Sequence, residues 1–306
     1  MKRTILTGVK EYLASHPWIS VVFKLAITTL CLWYVSHKIN WLLTMRLLGS
    51  SNKVWLLLAA VLFTFSKLVA AFRLNIYFKN IGVVLPQPNN VRLYWLGMFY
   101  NLFLPGGIGG DAYKVILLNR RNLQTVKKLS AAVLLDRISG VAGLAILVAV
   151  YYFLIFKGSQ YSLWLLLAVL PGLVIYYFFV KKIFYSFISS CWSTLLLGVI
   201  VQFLQVLCMY CLMASIQITQ HHNEFVLLFL LSSIVAILPF TIGGLGAREV
   251  VFLWGSQQFG LNTNESIFIS VLFYLITVII SFVGIRWIYK DPLTAETIRA
   301  AGPAII

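Results

Sequence analysis

Charged residues are scarce in this 306-residue sequence. Lysine, arginine, aspartate and glutamate together make up only 10% of it, whereas a soluble domain carries about 25%. Apolar residues account for 61% of the chain and the mean hydropathy is +0.92. This composition leaves no room for a large soluble domain, and it predicts a single polytopic membrane domain over residues 1–306.

Acidic residues are the scarcest charged group, with 8 aspartates and glutamates against 24 lysines and arginines. In a soluble protein this excess of cations would suggest nucleic-acid binding. Here the cations lie mostly in loops, where they set membrane topology and meet anionic lipid headgroups. We therefore expect no nucleic-acid partner.

The small number of carboxylates leaves few candidates for a general acid or base or for metal ligands. The sequence has no nucleotide-binding motif either. We expect no metal, no cofactor and no enzymatic activity. The four cysteines, Cys31, Cys191, Cys208 and Cys211, lie within or at the ends of apolar segments. Cys208 and Cys211 have redox spacing but lack nearby polar partners, which favours a packing role.

Two segments rich in glycine and proline interrupt the apolar sequence. Residues 104–114 read LPGGIGGDAYK, and residues 238–249 read LPFTIGGLGARE. Neither allows an uninterrupted helix, and broken backbone at membrane depth must be buried in protein or line a polar cavity. Such a paired break indicates a transport site; the alternative is two loops that share turn residues. The residues that define the breaks are Pro105, Gly106, Gly107, Gly109, Gly110, Pro239, Gly243, Gly244 and Gly246.

The apolar runs divide into two length classes. Six of them are long enough to span a bilayer as helices: residues 18–36, 54–78, 129–156, 161–180, 191–216 and 266–289. The runs 91–104 and 225–238 are too short to span, and each leads into one glycine break. We therefore predict an all-α integral membrane fold of about six transmembrane helices and two glycine-broken re-entrant hairpins.

Loop charges predict how the two hairpins run. The loop 120–128 carries four cations, which places it in the cytoplasm, and residues before the first break are basic as well. Both flanks of the second break lack lysine and arginine, so that hairpin is expected to enter from outside. The basic loop 37–53 disagrees, because it would lie outside. In the alternative topology each broken segment crosses the membrane, which would put the loop 120–128 outside.

The predicted elements form two halves, residues 1–156 and 157–290, followed by a tail over residues 291–306. Each half reads span, span, hairpin, span, and the halves begin from opposite sides of the membrane. This is an inverted repeat. It places both termini in the cytoplasm and the protein in the plasma (inner) membrane as a multi-pass protein.

Charges inside the apolar segments are the candidate transport residues, because each costs about 3 kcal/mol or more to place there. They are Lys67, Asp111, Asp136, Arg137, Arg248 and Glu249. Helices that begin just after the glycines would direct their N-termini at an anionic group. In the alternative interpretation, Asp111 is a plain N-cap, and Glu249 is a first-turn carboxylate paired with Arg248 or with a cation on another span. Asp136 and Arg137 project about 100° apart, so each is expected to face a partner elsewhere, with Lys67 or Arg248 proposed for Asp136.

Three ordered motifs carry a family resemblance: NLFLPGGIGGD at 101–111, DRISG at 136–140 and LPFTIGGLGARE at 238–249. Together they resemble the transmembrane domain of lysylphosphatidylglycerol synthases and flippases. The resemblance implies an integral membrane protein that handles anionic lipids or lipid-linked sugars. The full synthase also carries a soluble aminoacyl-transfer domain, for which this chain has no room, so synthase activity is not expected.

Three functions remain open on the sequence. The first is a flippase-like translocase that moves an anionic phospholipid or a polyprenyl-phosphate-linked lipid between leaflets. The second is a membrane-embedded lipid or glycosyl transferase, and the third is an accessory scaffold for a lipid-modifying partner. The lipid, the energy coupling and the oligomeric state are left open, including a homo-oligomer.

Overall fold

A computed structural model describes residues 25–26, 29–30, 33–37, 41–103, 109–237, 241 and 244–293. Over these residues all regular structure is helical and no strand occurs, which confirms the all-α prediction. Only parts of the predicted span 18–36 are described. Pro105, Gly106, Gly107, Pro239 and Gly243 lie outside the described residues.

Twelve α-helices follow along the described chain. They are α1 (Trp41–Ser50), α2 (Lys53–Asn80), α3 (Gln87–Phe103), α4 (Gly109–Arg120), α5 (Val126–Ile155), α6 (Gln160–Leu167), α7 (Val169–Ile183), α8 (Cys191–Ser215), α9 (His222–Ile237), α10 (Ala247–Phe259), α11 (Thr263–Phe282) and α12 (Arg286–Tyr289). Short 3-10 turns at Tyr185–Ser190 and Val283–Ile285 lead into α8 and α12.

Five segments of the described chain are long and apolar enough to cross a membrane. They are Lys53–Asn80, Val126–Ile155, Gln160–Ile183, Tyr185–Ser215 and Thr263–Tyr289, and they coincide with five of the six predicted spans. The third is divided into α6 and α7 near Pro171. Proline has no N–H to donate and its ring crowds the carbonyl of the fourth residue before it, here Leu167, where α6 ends.

The helices that flank each glycine break lie side by side and antiparallel. In the first pair, Gly110 of α4 contacts Gly97 of α3, and Lys114 lies further back along α3 over the ring of Tyr94. The arms of this hairpin are 17 and 12 residues long, shorter than the roughly 20 residues that a spanning helix needs.

The second pair is built in the same way. Gly244 lies next to Ala236, and Gly255 next to Leu228, so α10 runs back along α9. These arms are 16 and 13 residues long. The helices on either side of each break therefore pack as an antiparallel pair, here called a hairpin. Re-entry of the hairpins into the membrane and the inverted repeat stay predictions, since helix packing defines no membrane boundary.

Two apolar clusters occupy opposite ends of the bundle. One joins the second half of α2 and the first halves of α5 and α8 to the α3–α4 hairpin. The other joins the first half of α2 and the second halves of α5 and α8 to α9, α10 and α11. The middle of α2, α5 and α8 belongs to neither cluster. The fold thus leaves a layer between its two larger clusters, and the buried pair Arg73–Asp136 lies there.

Glycines permit the closest helix contacts around this layer. A Cβ atom on Gly110 would lie 1.8 Å from the carbonyl oxygen of Gly97, and one on Gly143 would lie 2.7 Å from the backbone of Gly198. In the second hairpin, Gly244 and Gly246 have φ values of +83° and +82°, which residues with a Cβ atom rarely adopt.

Gly110→Leu and Gly244→Leu are each expected to lower the free energy of unfolding of the purified protein. The loss should reach about 1–3 kcal/mol, which is typical of an overpacked site. The first variant forces α3 and α4 apart, and the second also strains the backbone. Melting temperatures in detergent measure the effect. Gly172→Leu is the matched control, because a Cβ atom there meets nothing within 4 Å. Equal melting temperatures for all three variants would show that the hairpin contacts do not matter for stability.

Candidate functional site

A buried ion pair joins α2 to α5 in the middle layer. The Arg73 Nε atom lies 2.7 Å from Asp136 Oδ1, and the side chains are only 5% and 12% exposed. The prediction that Asp136 pairs with Lys67 or Arg248 was therefore wrong. Asp136 pairs with Arg73 because Arg73 lies in the part of α2 that packs on the first half of α5, where Asp136 is located.

Arg73 occupies a space that glycines create. Cβ atoms on Gly140 and Gly198 would lie 3.4 Å and 3.2 Å from its guanidinium nitrogens. Within the described chain its Nη1 atom has no hydrogen-bond partner. The sequence analysis did not include Arg73 among the site residues. The signal that could have identified it is its position as a cation inside the apolar run 54–78.

The first hairpin contributes a carboxylate held by two cations. Asp111 Oδ1 lies 2.9 Å from Lys114 Nζ, and Asp111 Oδ2 lies 2.5 Å from Arg137 Nε. Asp111 belongs to the first turn of α4, which begins at Gly109, so it is not the plain N-cap considered from the sequence. The prediction that Asp136 and Arg137 each face a partner on another helix is confirmed.

Glu249 is 1% exposed and is satisfied by neutral donors. The Gly246 N–H donates to its Oε2 atom at 2.7 Å, and the Ser270 hydroxyl donates to Oε1 at 2.8 Å. The carboxylate therefore caps its own helix and ties α10 to α11. The alternative in which Glu249 pairs with Arg248 is not observed.

Arg248 reaches from the start of α10 toward α9 and α11. Its Nη1 atom donates to the Ser233 hydroxyl at 3.2 Å, and its guanidinium lies 5.2 Å from the centre of the Phe273 ring. Within the described residues no carboxylate lies in ion-pair distance of Arg248. The structure thus holds this guanidinium with a hydroxyl and an aromatic face.

Lys67 is the second cation in this part of the layer. Its ammonium lies 4.6 Å from the centre of the Phe63 ring, and it too has no ion-pair partner in the described chain. The Phe63 ring packs against the Phe273 ring, with 5.5 Å between the ring centres, and Arg248 lies over Phe273. Lys67 and Arg248, which belong to different predicted halves, therefore lie on neighbouring aromatic rings.

Two cations held near each other at low dielectric repel strongly, and a bound anion would relieve that repulsion. The guanidinium fork suits phosphate oxygens, and the ammonium adds a point charge. The N-terminus of α10 contributes further positive potential. The arrangement is thus chemically suited to binding a phosphate group.

Gln202 is a polar residue inside an apolar span and links two helices. It donates from Nε2 to the Gly140 carbonyl at 3.3 Å, which connects α8 to α5. Among the described residues, no three His, Cys, Asp or Glu side chains lie together as a metal site. Cys191, Cys208 and Cys211 are buried free thiols, and Cys31 lies outside the described residues.

Comparison with protein families gives a match over most of the chain. The model described as "Lysylphosphatidylglycerol synthase TM region" matches residues 21–284, which includes both glycine breaks and every charged residue of the layer. A search among curated proteins finds no match. The family is that of a membrane domain tied to lipid handling, as the three sequence motifs had indicated. The chain belongs to the family of the lysylphosphatidylglycerol synthase transmembrane region.

Proposed function

We propose that this protein is a lipid translocase that moves an anionic phospholipid or a polyprenyl-phosphate-linked lipid between membrane leaflets. One observation carries the proposal: Lys67 and Arg248 lie over the neighbouring rings of Phe63 and Phe273, whose centres are 5.5 Å apart, and in the described chain neither cation has a carboxylate partner. Both side chains are half-buried, and charges withdrawn from water are normally paired, so these two cations favour an anionic ligand that completes the site.

The neighbouring carboxylates have supporting roles in this proposal. Asp136 holds Arg73, Asp111 holds Arg137 and Lys114, and Glu249 fixes the turn before Arg248. Asp136 thereby keeps one cation in place, Asp111 keeps two, and Glu249 keeps a helix end in place. The headgroup phosphate would sit between Lys67 and Arg248, while the acyl chains stay in the bilayer.

Movement between leaflets would follow from the predicted inverted repeat, because two such halves can exchange conformations and open the site to either side. On this proposal the protein carries out no chemical step, lies in the plasma membrane and has both termini in the cytoplasm. An ion gradient or the lipid gradient itself would drive transport. The family membership supports lipid handling in general.

Proteoliposomes test the proposal with a panel of fluorescent lipids that share the same acyl chains. Anionic lipids should cross the bilayer much faster in proteoliposomes than in empty liposomes, while phosphatidylcholine should not. A fluorescence-quenching assay from the outer face measures the rate. Equal rates for every lipid, or no acceleration of any, would contradict a translocase selective for anionic lipids.

Orientation is tested separately. In a background without native cysteines, Asn122→Cys and Asn262→Cys should react with an impermeant maleimide from opposite faces of the membrane. The loop around Asn122 is strongly basic, whereas the flanks of the second break lack cations. Both positions are exposed. Reaction of both from the same face would overturn the predicted inverted topology.

A further inference from the structure

The carboxylates of the described chain are all engaged away from Lys67 and Arg248. The sequence has only 8 aspartates and glutamates, and Glu11 and Glu296 lie outside the described residues. The other six each have a partner elsewhere: Asp136 pairs with Arg73, Asp111 with Lys114 and Arg137, and Asp291 with Arg121, while Glu249 accepts from Gly246 and Ser270, Glu224 lies 3.4 Å from His221, and Glu265 lies 3.4 Å from Asn262.

The Lys67 and Arg248 site therefore presents two positive charges to a ligand. The two cations lie 4.6 Å and 5.2 Å from the centres of their aromatic rings, and a ring face attracts a cation without neutralising its charge. Both side chains are half-buried, and charges withdrawn from water are normally paired. A ligand with a single negative charge would leave one cation uncompensated, whereas a doubly charged ligand would compensate both.

Phosphate esters differ in the charge that they can offer such a site. A phosphate monoester carries a charge of about −1.5 to −2 at pH 7, because its second pKa is about 6, and it has three strong acceptor oxygens. In a phosphate diester a second carbon caps one of these oxygens. The diester keeps a single negative charge and two terminal oxygens.

The donors of the two side chains match the three oxygens of a monoester. Arg248 has five N–H donors, and the Ser233 hydroxyl accepts from its Nη1 atom. The guanidinium fork can bind two phosphate oxygens side by side, and the Lys67 ammonium can bind the third as a point charge. Gly244 leaves space for the guanidinium, because a Cβ atom there would lie 3.3 Å from Arg248 Nε.

We propose that the Lys67 and Arg248 site selects lipids whose headgroup ends in a phosphate monoester, such as phosphatidic acid or a polyprenyl monophosphate. Lipids in which the phosphate is a diester, such as phosphatidylglycerol, are the disfavoured class. This inference rests on the proposed function and narrows its substrate class. The excess of two cations over carboxylates at the site is what sets the preference.

Thermal stabilisation of the purified protein in an uncharged detergent tests the preference without measuring transport. The probes are dioctanoyl phosphatidic acid and dioctanoyl phosphatidylmethanol, which differ only in the methyl group that caps one phosphate oxygen. The rise in melting temperature with lipid concentration gives the two apparent affinities. Near pH 8 phosphatidic acid should bind at least about tenfold more tightly. Near pH 5 the preference should disappear, because both lipids then carry one charge, below the second pKa of about 6.

A third probe separates a lipid from a soluble phosphate ester. Glycerol 3-phosphate has the headgroup of phosphatidic acid without the hydrocarbon chains, and it should stabilise the protein much less than phosphatidic acid at equal concentration. Equal stabilisation by the two would identify a soluble phosphate ester as the ligand and would overturn the proposal for a lipid.

Lys67→Gln assigns the preference to the site. The two affinities should then agree within about twofold, since the remaining cation matches one negative charge, and no carboxylate in the described chain depends on Lys67. Lys290→Gln is the matched control, because that lysine is exposed, and it should keep the preference. If Lys67→Gln does not elute as a single peak in gel filtration, the pH series on the parent protein decides.

The outcomes separate this inference from the proposed function. Equal affinity of the parent protein for the two lipids near pH 8, a preference that persists near pH 5, or one that survives in well-folded Lys67→Gln would overturn selection for a monoester. Each of these results would leave transport of anionic lipids in place. Absence of stabilisation by either lipid would instead contradict an anion site at Lys67 and Arg248, and with it the proposed function.

Discussion

Arg248→Gln is expected to abolish lipid movement and to leave the protein folded. The guanidinium is held by the Ser233 hydroxyl and the Phe273 ring, and no carboxylate in the described chain depends on it. Its removal also takes away a like charge from the ring that neighbours the Lys67 site. Glutamine keeps much of the side-chain volume and a hydrogen-bond donor but has no charge to offer a phosphate.

Arg248→Lys should restore only part of the activity, because an ammonium cannot present two parallel donors to a phosphate. Flipping rates of the three proteins, each first checked by gel filtration, measure the effect. Arg286→Gln is the matched control, since that arginine is exposed on α12. A well-folded Arg248→Gln protein with the parent rate would exclude the proposed role, and an aggregated one would indicate a structural role instead.

The spans and the glycine breaks could be predicted from sequence because each depends on local properties. Length and hydropathy alone define a spanning helix, and the run at 126–155 needs no neighbour to be recognised. The positive φ values at Gly244 and Gly246 are likewise a local property, because glycine adopts such values more readily than other residues. The family, too, was identified from three short motifs.

The charge partners could not be predicted because they depend on how helices cross. Sequence excluded a pair between Asp136 and Arg137, yet it could not choose among the cations on other helices. The choice of Arg73 depends on the α5–α8 crossing, where Gly140 and Gly198 leave space for its guanidinium. Likewise, nothing in the motif LPFTIGGLGARE indicates that Ser270, on the next helix, would donate to Glu249.

The Arg73–Asp136 pair carries the largest expected effect on stability. Asp136→Leu should destabilise the protein by about 3–5 kcal/mol, because it leaves the Arg73 guanidinium buried without a counter-charge. Arg73→Met should be similarly harmful through the unpaired carboxylate. The double variant Arg73→Met with Asp136→Leu removes both charges and should recover most of the loss. Melting temperatures in detergent complete this double-mutant cycle.

Asp291→Asn serves as the control for the cycle. It breaks the Arg121–Asp291 pair, whose side chains are 36% and 41% exposed, and exposed pairs contribute only about 0–1 kcal/mol. If the double variant is no more stable than either single variant, the two charges do not compensate each other and the pair is not the link between α2 and α5. If it is stable, its flipping rate separates the two roles of Arg73. A rate near that of the parent would assign Arg73 to the scaffold alone, whereas a stable protein with no lipid movement would place Arg73 beside Lys67 and Arg248 in the path of the phosphate.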